Sequence, residues 1–360
     1  MRVLFISVSG IGDSVMAIPA IKALSLSNQH VIIDIMVGSR AAEFVMQKVR
    51  EVNQVFYLPL NLSPLSCRLI WQLLRRRRYY DFSINTMPSY RLHYNILAFL
   101  VGAKHRIVPA HASGKYREFR ILNNLPVEVL EEVHNADNNL QFLRALGVER
   151  PLGLKNNIDV HARIVLNQDL KERSRKRLEA KFKSRGVNTI VAIHPGSTLS
   201  PVGLAKRWPI EKYIDLVNLI GKKTKSGFIF FLGDDEKDLY WHITRSTIPK
   251  DTYIVLQNLS FEESLVYLSE SDMLISNDNG FAHCAPMLGV RTFVLFGPTS
   301  YKLSAPYNEL AIPIIPASYI PWHRFSQKRK SINTDASENF KDVTPNYVFD
   351  NFLSPYLCQL

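Results

Sequence analysis

The apolar positions of this chain fall into two rhythms, strand-like runs alternating with helical spacings, and the alternation is gone through twice. Arg2 to Ser9 (RVLFISVS) is an unbroken branched and aromatic run. That is the pattern of a parallel strand buried on both faces, because a half-solvated strand would alternate with polar residues. Gly10-Ile11-Gly12-Asp13 turns the chain, and Ser14 to Leu26 then reads as a helix, with Pro19 marking a kink. Val31 to Val37 reads as a second buried strand, Arg40 to Val49 as a helix and Val55 to Leu58 as a third strand. Ser66 to Arg75 predicts an amphipathic helix, Asp81 to Asn85 a strand and Arg91 to Val101 another helix. Strands alternating with helices across short turns predict a parallel, doubly wound sheet.

From Pro151 to Gly186 the character changes to a polar stretch and a highly charged helix, Gln168 to Ser184. A second alternating series then begins. Strands are expected at Thr189–His194, Gly227–Leu232, Ile254–Leu256, Met273–Asn277 and Thr292–Phe296. Helices are expected at Ile210–Lys222, Asp235–Arg245, Phe261–Glu270 and after Gly280. The division that follows is an N-terminal Rossmann-like domain over 1–165, a C-terminal one over 166–340, and a terminal helix within 341–360 (Val343–Leu353) that packs back on the N-terminal domain. The fold class is α/β, two doubly wound parallel-sheet domains facing across a cleft, with ligands outside the carboxyl ends of the strands. A length of 360 residues agrees, being too long for one ordinary core.

Composition narrows the class. Cys67, Cys284 and Cys358 are odd in number and in no C-x-x-C spacing, which argues against a disulfide framework or structural zinc and fits a reducing compartment. Met1-Arg2 and Val3–Val8 resemble the start of a signal peptide, but Gly10, Gly12 and Asp13 interrupt it. No apolar run approaches the roughly 20 residues that span a bilayer. The best candidate, Asn95 to Ala103, is too short, so the chain reads as soluble or at most resting on a membrane surface. The net charge of +12 is unevenly spread: between Arg68 and Arg120 eleven Lys/Arg face only Asp81 and Glu118, a local +9. Such a field concentrates polyanions, whether nucleic acid, anionic lipid or a phosphorylated acceptor.

Three strand-to-helix junctions carry the candidate chemistry. In Ser9-Gly10-Ile11-Gly12-Asp13-Ser14 the glycines let backbone approach a ligand, while the third glycine of a dinucleotide fingerprint is missing. Asp13 there is either a general base or the cap of the helix beginning at Ser14. His194-Pro195-Gly196-Ser197-Thr198, followed by Lys206-Arg207-Trp208-Pro209, offers hydroxyl and N–H donors and a cation to phosphate oxygens. The bland alternative makes Lys206 and Arg207 a solvated pair and Trp208-Pro209 a helix-entry staple, a reading that suits the latter two better than Lys206. In Ser276-Asn277-Asp278-Asn279-Gly280-Phe281-Ala282-His283, free N–H groups of a new helix would form an anion site, Asp278 would hold ribose hydroxyls, and His283 would face the ligand. Against this stand Asp278 or Asn279 as a cap and His283 as a core histidine. Phe296-Gly297-Pro298-Thr299 closes the same side. Gly233-Asp234-Asp235-Glu236 resembles a divalent-metal cluster but is read as an acidic helix start, and Arg75–Arg78 as a solvated helix end.

Taken in order, G-I-G-D (10–13), H-P-G-S (194–197), K-R-W-P (206–209), S-N-D-N-G-F-A-H (276–283) and F-G-P-T (296–299) resemble glycosyltransferase family 9, the heptosyltransferases of lipopolysaccharide core synthesis. The match of order and spacing runs from Met1 to about Thr299. The resemblance implies a GT-B fold and inverting, metal-independent transfer of heptose from ADP-heptose, a substrate rather than a cofactor. It makes Asp13 the catalytic base and Lys206 the phosphate-binding catalytic lysine. Ser197, Thr198, Asp278, Asn279, Gly280 and His283 join Lys206 as nucleotide-sugar-binding residues. It assigns Gly12 and Arg75, Arg76, Arg77 and Arg78 to an anionic glycolipid or phosphorylated sugar acceptor, and it places the enzyme in the cytoplasm at the inner membrane face, with no nucleic acid as partner. Asn279 stands where the family loop carries Ser or Thr, and Pro313–Asn339 follows no family pattern. Another nucleotide-sugar, a nicotinamide-dependent oxidoreductase and a basic nucleic-acid-binding module are the alternative readings.

Overall fold

The computed structural model describes residues 1–59, 68, 78–89, 92–111, 120–148, 163–182, 185–319 and 335–357. They form two compact units, Met1–Ile164 with Lys302–Tyr307, and Val165–Tyr301 with Asn308–Leu360.

The first unit holds a six-stranded sheet in the order β3-β2-β1-β4-β5-β6, every neighbouring pair parallel. The strands are β1 (Arg2–Ser7), β2 (Ile32–Val37), β3 (Gln54–Tyr57), β4 (Phe82–Asn85), β5 (His105–Ala110) and β6 (Leu125–Glu128). Helices α1 (Ile11–Val15), α2 (Ile18–Ser27), α3 (Arg40–Gln47), α4 (Leu92–Val101) and α5 (Asn135–Phe142) connect and cover them. Five of the six β1 residues are buried, as the unbroken apolar run requires. Leu4 and Ile6 of β1 pack with Tyr94, Leu97, Ala98 and Val101 of α4. The helix expected from Ser14 starts earlier, at Ile11, and breaks at Met16-Ala17, with Pro19 in the first turn of α2 where its missing N–H costs nothing. β5 and β6 were not anticipated, and the helix expected over 66–75 lies, apart from Arg68, outside the described residues.

The second unit opens with α6 (Gln168–Phe182) and repeats the plan: β7 (Thr189–His194), α7 (Pro201–Ala205), α8 (Ile210–Lys223), β8 (Ser226–Leu232), α9 (Leu239–Thr244), β9 (Tyr253–Gln257), α10 (Phe261–Ser269), β10 (Met273–Asn277), α11 (Gly280–Cys284), β11 (Arg291–Leu295), α12 (Tyr301–Ser304) and β12 (Ala311–Ile314). The sheet order is β12-β11-β10-β7-β8-β9, again parallel throughout. Counted from β7, that is the strand order of the first sheet, the doubly wound arrangement in which the connections reverse direction between the first and fourth strands.

α8 presents Ile210, Tyr213, Leu216, Val217 and Ile220 at helical spacing to Val191, Ile193, Phe228 and Phe230 of the sheet. The chain ends in α13 (Ala336–Asn339), α14 (Pro345–Val348), a wide turn at Phe349–Leu353 and α15 (Ser354–Leu357). The expectation that 341–360 packs on the N-terminal half gives way here, because Val343, Val348, Phe349, Leu353 and Leu357 are buried with Trp208 and the α8 face in the core of the second unit. No described helix is long and apolar enough to cross a membrane.

Candidate functional site

In the first unit Gly12 and Asp13 leave the carboxyl end of β1, and in the second the candidate loops leave β7 and β10, the strands that flank the reversal, where a doubly wound sheet leaves a crevice.

In the first unit β1 runs out through Val8-Ser9 into α1. Gly10 is the cap position of that helix, in extended conformation and without a side-chain cap bond. Asp13 is therefore not the cap, as one reading of the sequence had it. It is the third helical residue, half-buried, in the first turn, where the helix dipole favours a carboxylate. Ser14 ties this turn to the strand, its hydroxyl 3.0 Å from Ser7 Oγ and bonded to the Ser7 carbonyl at 3.3 Å. Gly12 is buried, and its carbonyl accepts the Met16 N–H at 3.0 Å. From the neighbouring strand Gly38 closes on the same exit: a Cβ there would lie 2.5 Å from the Val8 carbonyl oxygen, so only glycine fits. Of the arginine run, Arg78 is described and exposed, while Arg75, Arg76 and Arg77 lie outside the described residues.

In the second unit four loops converge. Asn277, the fully buried last residue of β10, donates to the Pro195 carbonyl at 2.6 Å and the Gly196 carbonyl at 3.4 Å. Its oxygen accepts from Trp208 N at 2.9 Å and Tyr213 Oη at 3.0 Å. Both donors and both acceptor sites of the amide are thus in use. Trp208 stacks edge-on against Tyr213 at 4.8 Å, one residue before the Pro209 cap and four residues into α8, the hydrophobic staple expected of Trp208-Pro209. Arg207 is neither solvated nor aimed at a ligand. Its guanidinium is buried and donates to the Ser197 carbonyl at 2.5 Å and the Asp235 carbonyl at 2.7 Å, joining the two loops.

The acidic run behaves as a helix start. Asp234–Glu236 is a single tight turn, Asp234 pairs with Lys237 at 2.8 Å, and Glu236 accepts the Gly233 N–H at 2.8 Å. The Glu236 carboxylate lies against Gly196, where any Cβ would collide with it. Among the described residues no group of three His, Cys, Asp or Glu side chains is placed to hold a metal ion.

Lys206 and Asp278 meet at this junction. Lys206 Nζ lies 2.7 Å from Asp278 Oδ2, and both side chains are largely buried. Thr299 Oγ1 donates to the same oxygen at 2.7 Å, and the Thr299 carbonyl accepts from Tyr319 Oη at 2.5 Å. Burial pushes the Asp278 carboxyl up, but Lys206, the Thr299 hydroxyl and His283 outweigh it and hold the group below the usual carboxylate range. Asp278 is an anion that fixes an ammonium group, and Lys206 is a cation on the C-terminal edge of the sheet.

Asn279 corrects the expectation of a bare helix end. Its Oδ1 accepts from Phe281 N at 3.0 Å and Ala282 N at 3.1 Å, so two N–H groups offered to a phosphate are already capped. Its Nδ2 donates to His194 Nδ1 at 3.0 Å and the Gly196 carbonyl at 2.9 Å. Burial lowers His194 to about 4, and the ring stacks on Phe281. Gly280 opens α11, and His283 is buried on it. Ser197 is buried with its carbonyl held by Arg207, whereas Thr198 is exposed, its hydroxyl 3.1 Å from Ser200 Oγ. Thr198 exposes a hydroxyl, and Lys206 and Gly280 are half-buried at the same junction, a set that suits an anionic oxygen-rich group.

The profile of glycosyltransferase family 9 (heptosyltransferase) matches residues 72–331. This chain belongs to that family. A lipooligosaccharide heptosyltransferase 2 of Campylobacter jejuni is 27% identical over 159 residues, covering 43% of this chain and 47% of that one. The chain thus spans about half the length of that relative. The lipopolysaccharide heptosyltransferase 2 of Escherichia coli K12 is 22% identical over 365 residues, with 97% of each chain covered. Among solved structures, that of E. coli ADP-heptose lps heptosyltransferase II superposes with a TM-score of 0.71 at 18% identity, covering 100% of this chain and 99% of that one. The fold of this family 9 chain is GT-B, as the motifs implied.

Sequence reasoning quoted Asn277, Thr299 and Arg207 inside motifs but gave the first two no role and the third the wrong one. Asparagine ending a fully buried strand that opens on the apolar run Met273–Ile275 is the signal that could have found Asn277. Tyr319 was missed altogether. It sits in the stretch without family pattern, and only the fold brings it to Thr299.

Proposed function

We propose that this chain transfers heptose from ADP-heptose to an anionic acceptor of the lipopolysaccharide-core type, inverting the anomeric centre and using no metal. The observation that carries the reading is the Lys206–Asp278–Thr299 group at the strand reversal of a family 9 chain. The names of the relatives supply the sugar and the nucleotide.

Asp13 takes the proton of an acceptor hydroxyl while that oxygen bonds to the anomeric carbon from the face opposite the diphosphate. The bond from the anomeric carbon to the phosphate oxygen breaks, and ADP leaves with the electron pair. Lys206, with the Ser197 and Thr198 hydroxyls, neutralises the charge growing on the diphosphate, and a fixed donor of this kind contributes about 2.7–4 kcal/mol to the transition state. Asp278 keeps the ammonium in place, with Asn279, Gly280 and His283 forming the loop around the nucleotide. Gly12 lines the acceptor side, and Arg75 to Arg78 draw in its phosphates and carboxylates. The work is done in the cytoplasm, in peripheral contact with the inner membrane face.

A donor panel read by mass spectrometry tests this. ADP-heptose should be consumed in excess EDTA, with a product of opposite anomeric configuration by NMR. Transfer from another nucleotide-sugar alone would overturn the donor assignment, and activity restored only by magnesium or manganese would overturn the metal-free one.

A further inference from the structure

Three side chains grip one loop of the second unit by its carbonyls. Asn277 Nδ2 donates to the Pro195 carbonyl at 2.6 Å and to the Gly196 carbonyl at 3.4 Å, and Asn279 Nδ2 donates to the Gly196 carbonyl at 2.9 Å. Arg207 holds the next one, its Nη2 2.5 Å and its Nε 3.2 Å from the Ser197 carbonyl oxygen. The oxygens of three successive peptide units are therefore tied. An extended chain turns successive carbonyls to opposite sides. Those of Pro195 and Gly196 instead converge on a single nitrogen, so the two share a side.

A trans peptide sets its N–H antiparallel to its C=O. The N–H groups of Gly196 and Ser197 accordingly turn together away from the Asn277 amide, and that of Thr198 turns away from Arg207. Among the described residues none accepts a hydrogen bond from these three N–H groups. Gly196 and Ser197 are buried, where a backbone N–H without an acceptor is rare. The Glu236 carboxylate fills the place of a Cβ at Gly196, so the loop is also packed against the acidic partner of Arg207. Successive N–H groups that share a side form an anion-binding concavity.

We propose that Arg207 is a positioning residue for the donor diphosphate. It touches no substrate. By fixing the Ser197 carbonyl it sets the Thr198 N–H beside those of Gly196 and Ser197, and the three take one phosphate of a nucleoside diphosphate. The planar fork of a guanidinium reaches the Ser197 and Asp235 carbonyls at once, at 2.5 and 2.7 Å, which a lysine ammonium does not reproduce. Glu236, 3.8 Å away, balances the buried charge. The N–H groups expected to meet a phosphate at α11 are taken by Asn279 Oδ1, and the loop supplies directional donors in their stead, next to the charge of Lys206. The inference rests on the reading that the donor is a nucleoside diphosphate sugar, and not on which base or sugar it carries.

Inorganic pyrophosphate, which has neither base nor sugar, is the probe. Titrated into the deuterated, isotope-labelled full chain, it should move the amide protons of Gly196, Ser197 and Thr198 downfield in the NMR spectrum, the mark of new hydrogen bonds to an anion. By calorimetry R207K, which keeps a cation beside Glu236, should bind pyrophosphate about ten- to hundredfold more weakly, the range for losing hydrogen bonds to a charged group. R207Q/E236Q removes both charges, so no uncompensated ion is left. It should show the same loss, and it stands in if circular dichroism finds R207K unfolded. Wild-type affinity in either folded variant overturns the proposal, because Arg207 would then only balance Glu236. Amide protons that stay in place while pyrophosphate binds overturn it too, as does a wild type that binds no pyrophosphate. A chain that binds pyrophosphate through these amides yet consumes no ADP-heptose fails the proposed donor and leaves the role of Arg207 standing.

Discussion

Lys206 Nζ and Asp278 Oδ2 lie 2.7 Å apart at the carboxyl edge of the second sheet, so the cation proposed for the diphosphate is held by a buried carboxylate. This pairing separates two roles of the lysine. Removing one partner of a buried pair leaves the other uncompensated, a loss of about 3–5 kcal/mol. Lys206→Gln should therefore unfold at lower urea and bind ADP poorly. Adding Asp278→Asn should recover much of the stability and none of the ADP affinity. If calorimetry finds ADP binding restored in the double variant, Lys206 is a structural partner only.

Asp13 is the third residue of α1 and not its cap, so Asp13→Asn should leave the fold intact. As a general base its loss should lower kcat by about 10²–10⁴-fold, with donor affinity nearly unchanged. A variant that melts early yet turns over normally when folded would remove Asp13 from the chemistry.

His194 makes stability depend on pH. Its Nδ1 accepts from an Asn279 amide whose orientation is set by two backbone N–H groups, so protonation there would set donor against donor. The folded value is lowered from 6.5 to about 4. Between these values the unfolded chain binds the proton and the folded chain does not, so stability falls as pH drops from 6.5 towards 4. Asp278, held below 3.8, contributes its own acid sensitivity only below that window. Urea midpoints for His194→Gln should show a flatter slope from pH 6.5 to 4 than the wild type. Parallel slopes would reject the assignment.

Tyr319 reaches Asp278 through Thr299, and burial pushes its hydroxyl up to about 12, so it remains a donor at physiological pH. Tyr319→Phe should weaken ADP binding by about three- to tenfold, the worth of one neutral hydrogen bond. Thr299→Ser, which keeps the hydroxyl, should be close to wild type. Equal effects of both would show that the contact serves packing alone.

The central strands and the junction motifs were legible because buried parallel strands write continuous apolar runs and strand-to-helix turns demand small and polar residues. The three strands that escaped share one property: β5, β6 and β12 contain Pro109, Pro126 and Pro313. A proline breaks the apolar run and reads as a turn, yet β6 and β12 are edge strands, where a missing donor is tolerated. Asp13, Lys206 and Asp278 carry local signals at strand-to-helix junctions, and the structure joins the last two in an ion pair. Arg207 was misread because its carbonyl acceptors, at 197 and 235, come from separate loops that only the fold assembles. The cap role of Asn279 was one of the readings its sequence offered, while its tie to His194 and Gly196 cannot be seen from its neighbours in sequence.

Asn277 has a practical consequence for anyone redesigning the donor specificity. With all four of its hydrogen-bonding positions committed to Pro195, Gly196, Trp208 and Tyr213, the junction of these loops is a single locked casting. Libraries that vary it would mostly return chains that do not fold. Thr198 and Leu199 form an exposed lip beyond that lock, ahead of the Ser200 cap of α7, and diversity introduced at these two can alter what is gripped while leaving the casting untouched.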